Sequence, residues 1–429
     1  MTPWQSPIAP GISWYQEASM DRPTYPTLSE SKAVDVAIVG GGFTGLQAAY
    51  HLAIRGTSVA LLEAHRLGDG ASGRNGGQFG TGQRAWPEEL EKQVGFERSK
   101  ALFEMAEGAK RYLLDFADEH GIDMDYMPGQ INVAHKRGLE RDYRANAEIA
   151  ADRYDYPHLS FMDRAETAER LGSTRYYCGV RDAGTGHINP LKLLVGLARA
   201  AGSAGAQLYE MTKVARVQRQ GNRIELLTAT GTITADRVLL ATNGYVEDLE
   251  PVTAAHIMPI GSFIAATEPL DDHPDVLSGG EAVADSRFVV RYFRKSKDNR
   301  LLFGGREVYS SKNPADTADY IRKQIVETYP ALKDIQITHA WGGNVGITLP
   351  RQPFVREVLS GVTSIGGYSG HGVMLSNFCG KMYADRISGA PNGLDLLEAL
   401  DVPRFPGGQR LRNPLLFLAL TWFALRDRL

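Results

Sequence analysis

Cysteine is nearly absent from this chain. Cys178 and Cys379 lie far apart in sequence and form no C-x-x-C pair, so they offer neither a metal nor a redox motif and are expected as small buried residues. Strong charge of either sign is also missing. The net charge is −3 and no basic block stands out, which excludes a polyanionic partner and nucleic acid. No apolar run is long enough to span a bilayer: the tail segment LLFLALTWFAL falls short of the roughly 20 residues required. A packed tail helix over 401–429 is expected, with an interfacial or subunit contact as the alternative. The N-terminus has no charged region leading into an apolar core, so no secretory signal is expected and a reducing cytoplasm is the default. Internal repeats are absent.

With 429 residues the chain has room for two domains and sizeable cores. Residues 1–33, rich in proline and polar residues, read as an extended arm laid over the fold by its aromatics. The stretch that organises the rest follows directly. Residues 34–39 are an apolar, β-branched run, as a buried parallel strand requires. Gly40, Gly42 and Gly45 then stand in G-x-G-x-x-G spacing, with Phe43 and Thr44 between them. The first glycine permits a tight turn, the second lets backbone approach a pyrophosphate, and the third lets a helix sit close to the sheet. The helix begins with its N–H groups facing the phosphate. A second strand over 57–62 ends at Glu63 and Ala64. Glu63 lies about 20 residues past the glycines, where a carboxylate accepts from an adenosine ribose. This is an α/β dinucleotide site, and the acid disfavours a 2′-phosphorylated nucleotide.

A second glycine-rich loop, GASGRNGGQ, follows at residues 70–78, and a pure NAD domain has no need of it. Farther along, residues 87–121 read as a helical pair. Residues 122–135 read as strand–turn–strand around Pro128-Gly129. Residues 136–154 form a polar helix, and Asp163 caps a short one. His187 reads as a structural histidine. A buried strand over 237–241 runs into Thr242, Asn243 and Gly244. Residues 256–310 alternate as antiparallel strands, and in VVRYFRK one face of Arg291, Tyr292, Phe293 and Arg294 is available to a substrate cavity. Arg291 or Arg294 is a candidate for a bidentate fork on a substrate carboxylate, with a surface ion pair equally open to them. A further glycine-rich stretch, residues 366–372, opens a helix from about 373, whose positive end suits the electron-rich edge of a reduced flavin.

The segments VGGGFTGLQAAYHLA, GASGRNGGQ, GTGHINPLKL, WGGNVGITLPRQP and GYSGHGV, with FPGGQRLRNP near the end, extend over nearly the whole chain. Through them it resembles the D-amino-acid oxidase-like (DAO) family of FAD-dependent amine oxidoreductases. The resemblance implies a Rossmann-like FAD-binding domain with a glutathione-reductase-like parallel sheet, plus a mainly antiparallel β substrate domain. The expected partition gives 34–100, 186–255 and 335–400 to the FAD domain and 101–185 with 256–334 to the substrate domain. It implies cofactor contacts from the residues named above, from Gly70, Ala71, Ser72, Arg74, Asn75, Gly76, Gly77 and Gln78, from Val214, and from Gly342 and Thr348. Gly367, Tyr368, Gly370, His371, Gly372 and Val373 complete the set. Tyr292, Trp341, Tyr368 and His371 are expected to wall the substrate. A brace for its own loop is the equal alternative for His371.

Two departures narrow the expectation. Thr348 is followed by Leu349-Pro350-Arg351 instead of the proline-aspartate of many relatives, and residues 342–347 contain no cysteine. Noncovalent FAD is therefore expected. The implied reaction oxidises the primary amine of a polyamine derivative, of the gamma-glutamylputrescine kind, to an aldehyde with ammonia, oxygen being reduced to hydrogen peroxide. A dehydrogenase feeding a quinone or carrier, or a sarcosine- or glycine-type oxidase, is the alternative.

Overall fold

A computed structural model describes residues 5–19, 21–308 and 316–407. Two sheets carry the architecture. The first has a parallel centre. Lys32–Val39 lies between Thr232–Leu240 and Val59–Leu62, with Gln207–Tyr209 beyond the latter and Val362–Gly366 beyond the former. Phe354–Leu359 closes one edge, and the hairpin Arg216–Gln220 and Arg223–Leu227 flanks Thr232–Leu240. From Val36 onward every residue of Lys32–Val39 is buried, as a strand covered on both faces requires.

The helix that covers one face, Phe43–Ala53, is itself buried along nearly its whole length. Two further helices, Pro190–Ser203 and Gly372–Ile387, pack against it. The crossing with Gly372–Ile387 is close because Gly380 faces it: a Cβ there would sit 2.3 Å from the Thr44 carbonyl oxygen. The expected helical pair is present as Pro87–Val94 and Phe96–Glu119. The Asp163 cap is also present: Asp163 and Glu166 form a reciprocal capping box on Arg164–Leu171.

The second sheet is mainly antiparallel. Its order is Ile337–Ile347, Met258–Pro269, Arg300–Val308, Tyr292–Lys295, Ala282–Asp285, Met127–Val133, Gly179–His187 and Gln78–Phe79. Leu159–Met162 adds to the edge of Gly179–His187. Phe293, stacked on Phe303 with centroids 5.0 Å apart, centres its core.

Three expectations are corrected here. The partition at residue 335 fails for Ile337–Ile347, which pairs along its length with Met258–Pro269 in the second sheet. Pro128-Gly129 is not a turn: Met127–Val133 runs through it, and Gly129 at φ +92° takes up a register shift against Gly179–His187, as a bulge does. The arm lies over the fold by its aromatics but is not extended throughout. Trp14 and Tyr15, on the short helix Trp14–Ala18, are buried, and the Tyr15 ring meets Trp341 edge-on at 5.4 Å. Of the expected tail helix over 401–429, residues 408–429 lie outside the described residues. Among the described residues no helix is long and apolar enough to cross a membrane.

Candidate active site

The glycine turn is built by contacts that leave no room for side chains. Gly40 has φ +107°, and a Cβ on it would lie 2.7 Å from the Ala241 carbonyl oxygen. A Cβ on Gly45 would lie 2.0 Å from the Gly40 carbonyl oxygen. At Gly42 the neighbour is the Ser72 hydroxyl, which accepts from the Phe43 N–H at 3.1 Å. Glu63 holds the turn from the side: its carboxylate accepts from the Gly41 N–H at 2.8 Å and the His65 N–H at 3.0 Å. Burial pushes this carboxyl above its ordinary range, and those two N–H groups pull it back.

The second glycine loop is fixed by two arginines and an asparagine. Asn75 accepts from the Gly77 N–H at 2.8 Å and donates to the Ala71 and Ser72 carbonyls at 3.1 Å each. Arg74, buried, donates to the carbonyls of Gly342 and Pro10 at 2.6 Å and of Gly11 at 2.7 Å. Burial lowers its pKa to about 10, so it remains a cation at neutral pH. Arg294 donates to the Gly76 carbonyl at 2.6 Å, the Ile188 carbonyl at 2.8 Å and the Tyr15 hydroxyl at 3.1 Å.

The third wall comes from the end of Ile337–Ile347, the 366–372 loop and residues 242–245. The Asn344 N–H donates to the Tyr245 hydroxyl at 2.9 Å. The Gly367 N–H donates to Asn243 Oδ1 at 2.8 Å, and the Ser369 N–H to the Gly346 carbonyl at 2.9 Å. Tyr368 shares a 2.7 Å hydrogen bond with Thr44, tying this wall to the first turn. His371 Nε2 lies 3.0 Å from the Gly82 carbonyl oxygen. A carbonyl only accepts, so Nε2 carries the proton and Nδ1 is left as an acceptor. Burial, with Arg84 nearby, lowers this histidine to about 4.

These walls enclose a cavity of about 1280 Å³, above the usual range for a drug-sized ligand, roughly 300–1,000 Å³. Gly40, Gly42, Phe43, Thr44, Glu63, Ala64, Gly70, Ala71, Ser72, Arg74, Asn75, Gly76, Gly77, Gln78, Val214, Thr242, Asn243, Tyr292, Tyr368, Gly370, His371, Gly372 and Val373 all line it. Six expected residues stand behind the wall instead. Gly45 abuts Gly40, Gly244 abuts Gly346, and Gly342 abuts Phe263 and Pro10. Thr348 donates to the Gln352 carbonyl at 2.7 Å. Gly367, at φ +72°, packs on Thr348. Trp341 is fully buried and donates from Nε1 to the Arg74 carbonyl at 3.0 Å, so it positions the loop and walls nothing.

Several cavity residues carry no motif and were not anticipated. Gly80 to Pro87 form a stretch of wall after the second glycine loop, and Gln130, Asn132 and Asp182 come from neighbouring strands of the second sheet. Asp182 and Thr81 belong to a buried polar cluster around Lys110. Its ammonium donates to Thr81 Oγ1 at 2.7 Å, the Gly184 carbonyl at 2.9 Å and the Tyr156 hydroxyl at 3.1 Å, and pairs with Glu107 at 2.7 Å. Tyr156 donates to Asp182 at 2.7 Å. The two arginines offered for a substrate carboxylate are both occupied: Arg294 as above, and Arg291 in an ion pair with Glu327 at 2.7 Å.

His187 is structural, as expected. It is buried, with Nε2 2.9 Å from the Gly280 carbonyl oxygen, and burial together with Arg294 lowers its pKa to about 3. Burial likewise lowers His51 to about 4. Both values lie below the ordinary 6.5, so the unfolded chain binds more protons once the pH drops through 6.5 and stability is lost from there downward. Between about pH 7 and about pH 5 the two should together cost about 4 kcal/mol in urea unfolding. His187→Gln should remove roughly half of that loss; an unaltered pH dependence in the variant would refute the assignment.

The lining fits FAD. Glycines crowd three of the approaches, and among the described residues three buried polar atoms of cavity residues, Arg74 Nη1, Gln130 Oε1 and Thr242 Oγ1, have no hydrogen-bond partner. Comparison with known proteins agrees. Residues 35–386 match the family described as FAD dependent oxidoreductase, DAO. The chain is 63% identical over 425 residues to a Rhizobium meliloti (strain 1021) protein named probable oxidoreductase OrdL, covering 99% of each. It is 34% identical over 423 residues to the gamma-glutamylputrescine oxidoreductase of Escherichia coli (strain K12), covering 97% of this chain and 98% of that one. The crystal structure of glycine oxidase from Geobacillus kaustophilus superposes with a TM-score of 0.73 at 23% identity, over 88% of this chain and all of that one. A glycine turn, a second loop clamped by buried arginines and a matching family over most of its length make this chain a member of the DAO family of FAD-dependent oxidoreductases.

Proposed function

We propose that the chain oxidises the primary amine of a polyamine derivative of the gamma-glutamylputrescine kind to an aldehyde, with release of ammonia and reduction of oxygen to hydrogen peroxide. The observation that carries this reading is the near full-length identity of 34% to the Escherichia coli gamma-glutamylputrescine oxidoreductase. The cavity supports it, since its lining continues from the dinucleotide loops to polar residues of the second sheet, leaving room for a long substrate.

Bound noncovalently, FAD supplies the two-electron acceptor for oxidation of the C–N bond. Neither Cys178 nor Cys379 lines the cavity, in keeping with noncovalent attachment. The chain's own residues orient the amine and keep it neutral. Tyr292 and Tyr368 present aromatic surface to the cavity, and apolar surroundings disfavour an ammonium. His371, at about 4, is uncharged at neutral pH, and its bond to Gly82 braces the 80–87 wall.

The test is anaerobic mixing of the purified holoenzyme with gamma-glutamylputrescine, putrescine, spermidine, sarcosine, glycine and D-alanine while the visible flavin band is followed. Gamma-glutamylputrescine should bleach it fastest, and admitting air should then yield peroxide. Bleaching by sarcosine or an amino acid alone would move the enzyme to a different substrate class.

A further inference from the structure

Among the described residues, four arginines line the cavity: Arg74, Arg84, Arg287 and Arg351. Arg74 is taken up by three carbonyls. Arg287 is paired with the buried Asp285. Arg84 lies close enough for its charge to weigh on His371. Arg351 is different. Its guanidinium lies over the Phe288 ring, 5.2 Å from the centroid, and among the described residues no carboxylate, carbonyl or hydroxyl accepts a hydrogen bond from it. It is half-buried, so its donors are open to whatever enters the cavity.

The turn that carries it is held in place. Arg351 has φ +57°, an unusual left-handed conformation for a non-glycine residue, and its N–H donates to the Thr348 carbonyl at 3.1 Å. Thr348 in turn bonds the Gln352 carbonyl, and Gln352 Nε2 donates to Gln93 at 2.7 Å. A guanidinium seated over an aromatic ring on a pinned turn, with its N–H fork unsatisfied, is pre-organised for a planar anion.

We propose that Arg351 anchors a carboxylate at the end of the substrate remote from the reacting amine. The inference rests on the amine-oxidase reading and deepens it: the preferred substrate is an amine that carries a carboxylate at its far end. A free diamine would bring a second ammonium toward Arg351 with no carboxylate to offset it and be disfavoured by like charge.

The test is a titration of the holoenzyme with glutarate, an unreactive carboxylate, and with neutral glutaramide, following perturbation of the visible flavin band. Glutarate should bind at least about 10-fold more tightly, and Arg351→Gln should weaken glutarate by about 10- to 100-fold while leaving glutaramide unchanged. Arg351→Lys, which keeps the charge but not the fork, should fall between. In anaerobic reduction, Arg351→Gln should raise the gamma-glutamylputrescine concentration for half-maximal rate by the same factor and leave the limiting rate alone. Equal losses for both probes, unchanged glutarate binding, or no carboxylate-dependent signal in the parent enzyme would overturn the assignment. If no amine reduces the flavin, the amine-oxidase reading falls, and the glutarate titration still decides the role of Arg351.

Discussion

Gly45→Ala is expected to purify without flavin. The new Cβ would stand 2.0 Å from the Gly40 carbonyl oxygen and 3.2 Å from Ile38 Cγ2. The first of these atoms is backbone and has no rotamer to escape into. Relief requires Phe43–Ala53 to lift from Lys32–Val39, which moves the helix N-terminus away from the phosphate it should face. Overpacking of this kind costs about 1–3 kcal/mol, but the larger loss is of the cofactor seat, since the turn itself must shift. The measurement is flavin absorbance per mole of protein, with circular dichroism to establish that the chain is folded. A fully yellow Gly45→Ala protein would show that the contact does not set the cofactor site.

Arg74→Ala should have the second large effect. One buried guanidinium satisfies the carbonyls of Gly342, Pro10 and Gly11, which lie on a strand of the second sheet and on the N-terminal arm. Truncation strands three acceptors and opens a void, at a cost of about 3–5 kcal/mol. Flavin retention should fall with it, because the arginine belongs to the loop that lines the cavity. Arg74→Lys should rescue little, since one ammonium cannot reproduce the fork. Lys100→Ala, at an exposed ion pair with Asp155 away from the cavity, is the control and should leave the melt nearly unchanged. Thermal melts of the three variants decide the matter; an Arg74→Ala protein melting with the control would sink the argument.

The first turn was legible in the sequence because everything that defines it is local: strand, glycine spacing, helix and terminal acid fall within residues 34–63. The glycine loops at 70–78 and 366–372 were legible for the same reason. What the sequence did not disclose was long-range. Alternation in VVRYFRK separates the faces of a strand but does not say what each face meets, so Arg294 read as a candidate for substrate and proved to be a clamp on Gly76. Trp341 read as a wall because it neighbours the site in sequence, yet its indole bonds the Arg74 carbonyl behind the cavity. Pro128-Gly129 carries turn chemistry, but Met127 and Pro128 pair with Gly179–His187 and the residues from Gln130 onward pair on both sides, which holds it in a strand. Arg351 sits beside a motif whose departure from the family pattern was visible, although Phe288, the ring beneath it, comes from a distant loop.

The N-terminal arm has a consequence for synthesis. Pro10 and Gly11 lie against Ala340 to Gly342, and Tyr15 is sealed by Arg294 and Trp341. The arm therefore leaves the ribosome well before Arg294 and the strand Ile337–Ile347, which emerge some three hundred residues later. Until then the arm lacks these partners, and at translation rates of about 5–20 residues per second that wait lasts tens of seconds. During this interval the aromatics of the arm lack the cover they have in the finished fold, a stage at which chaperone capture competes with closure of the fold.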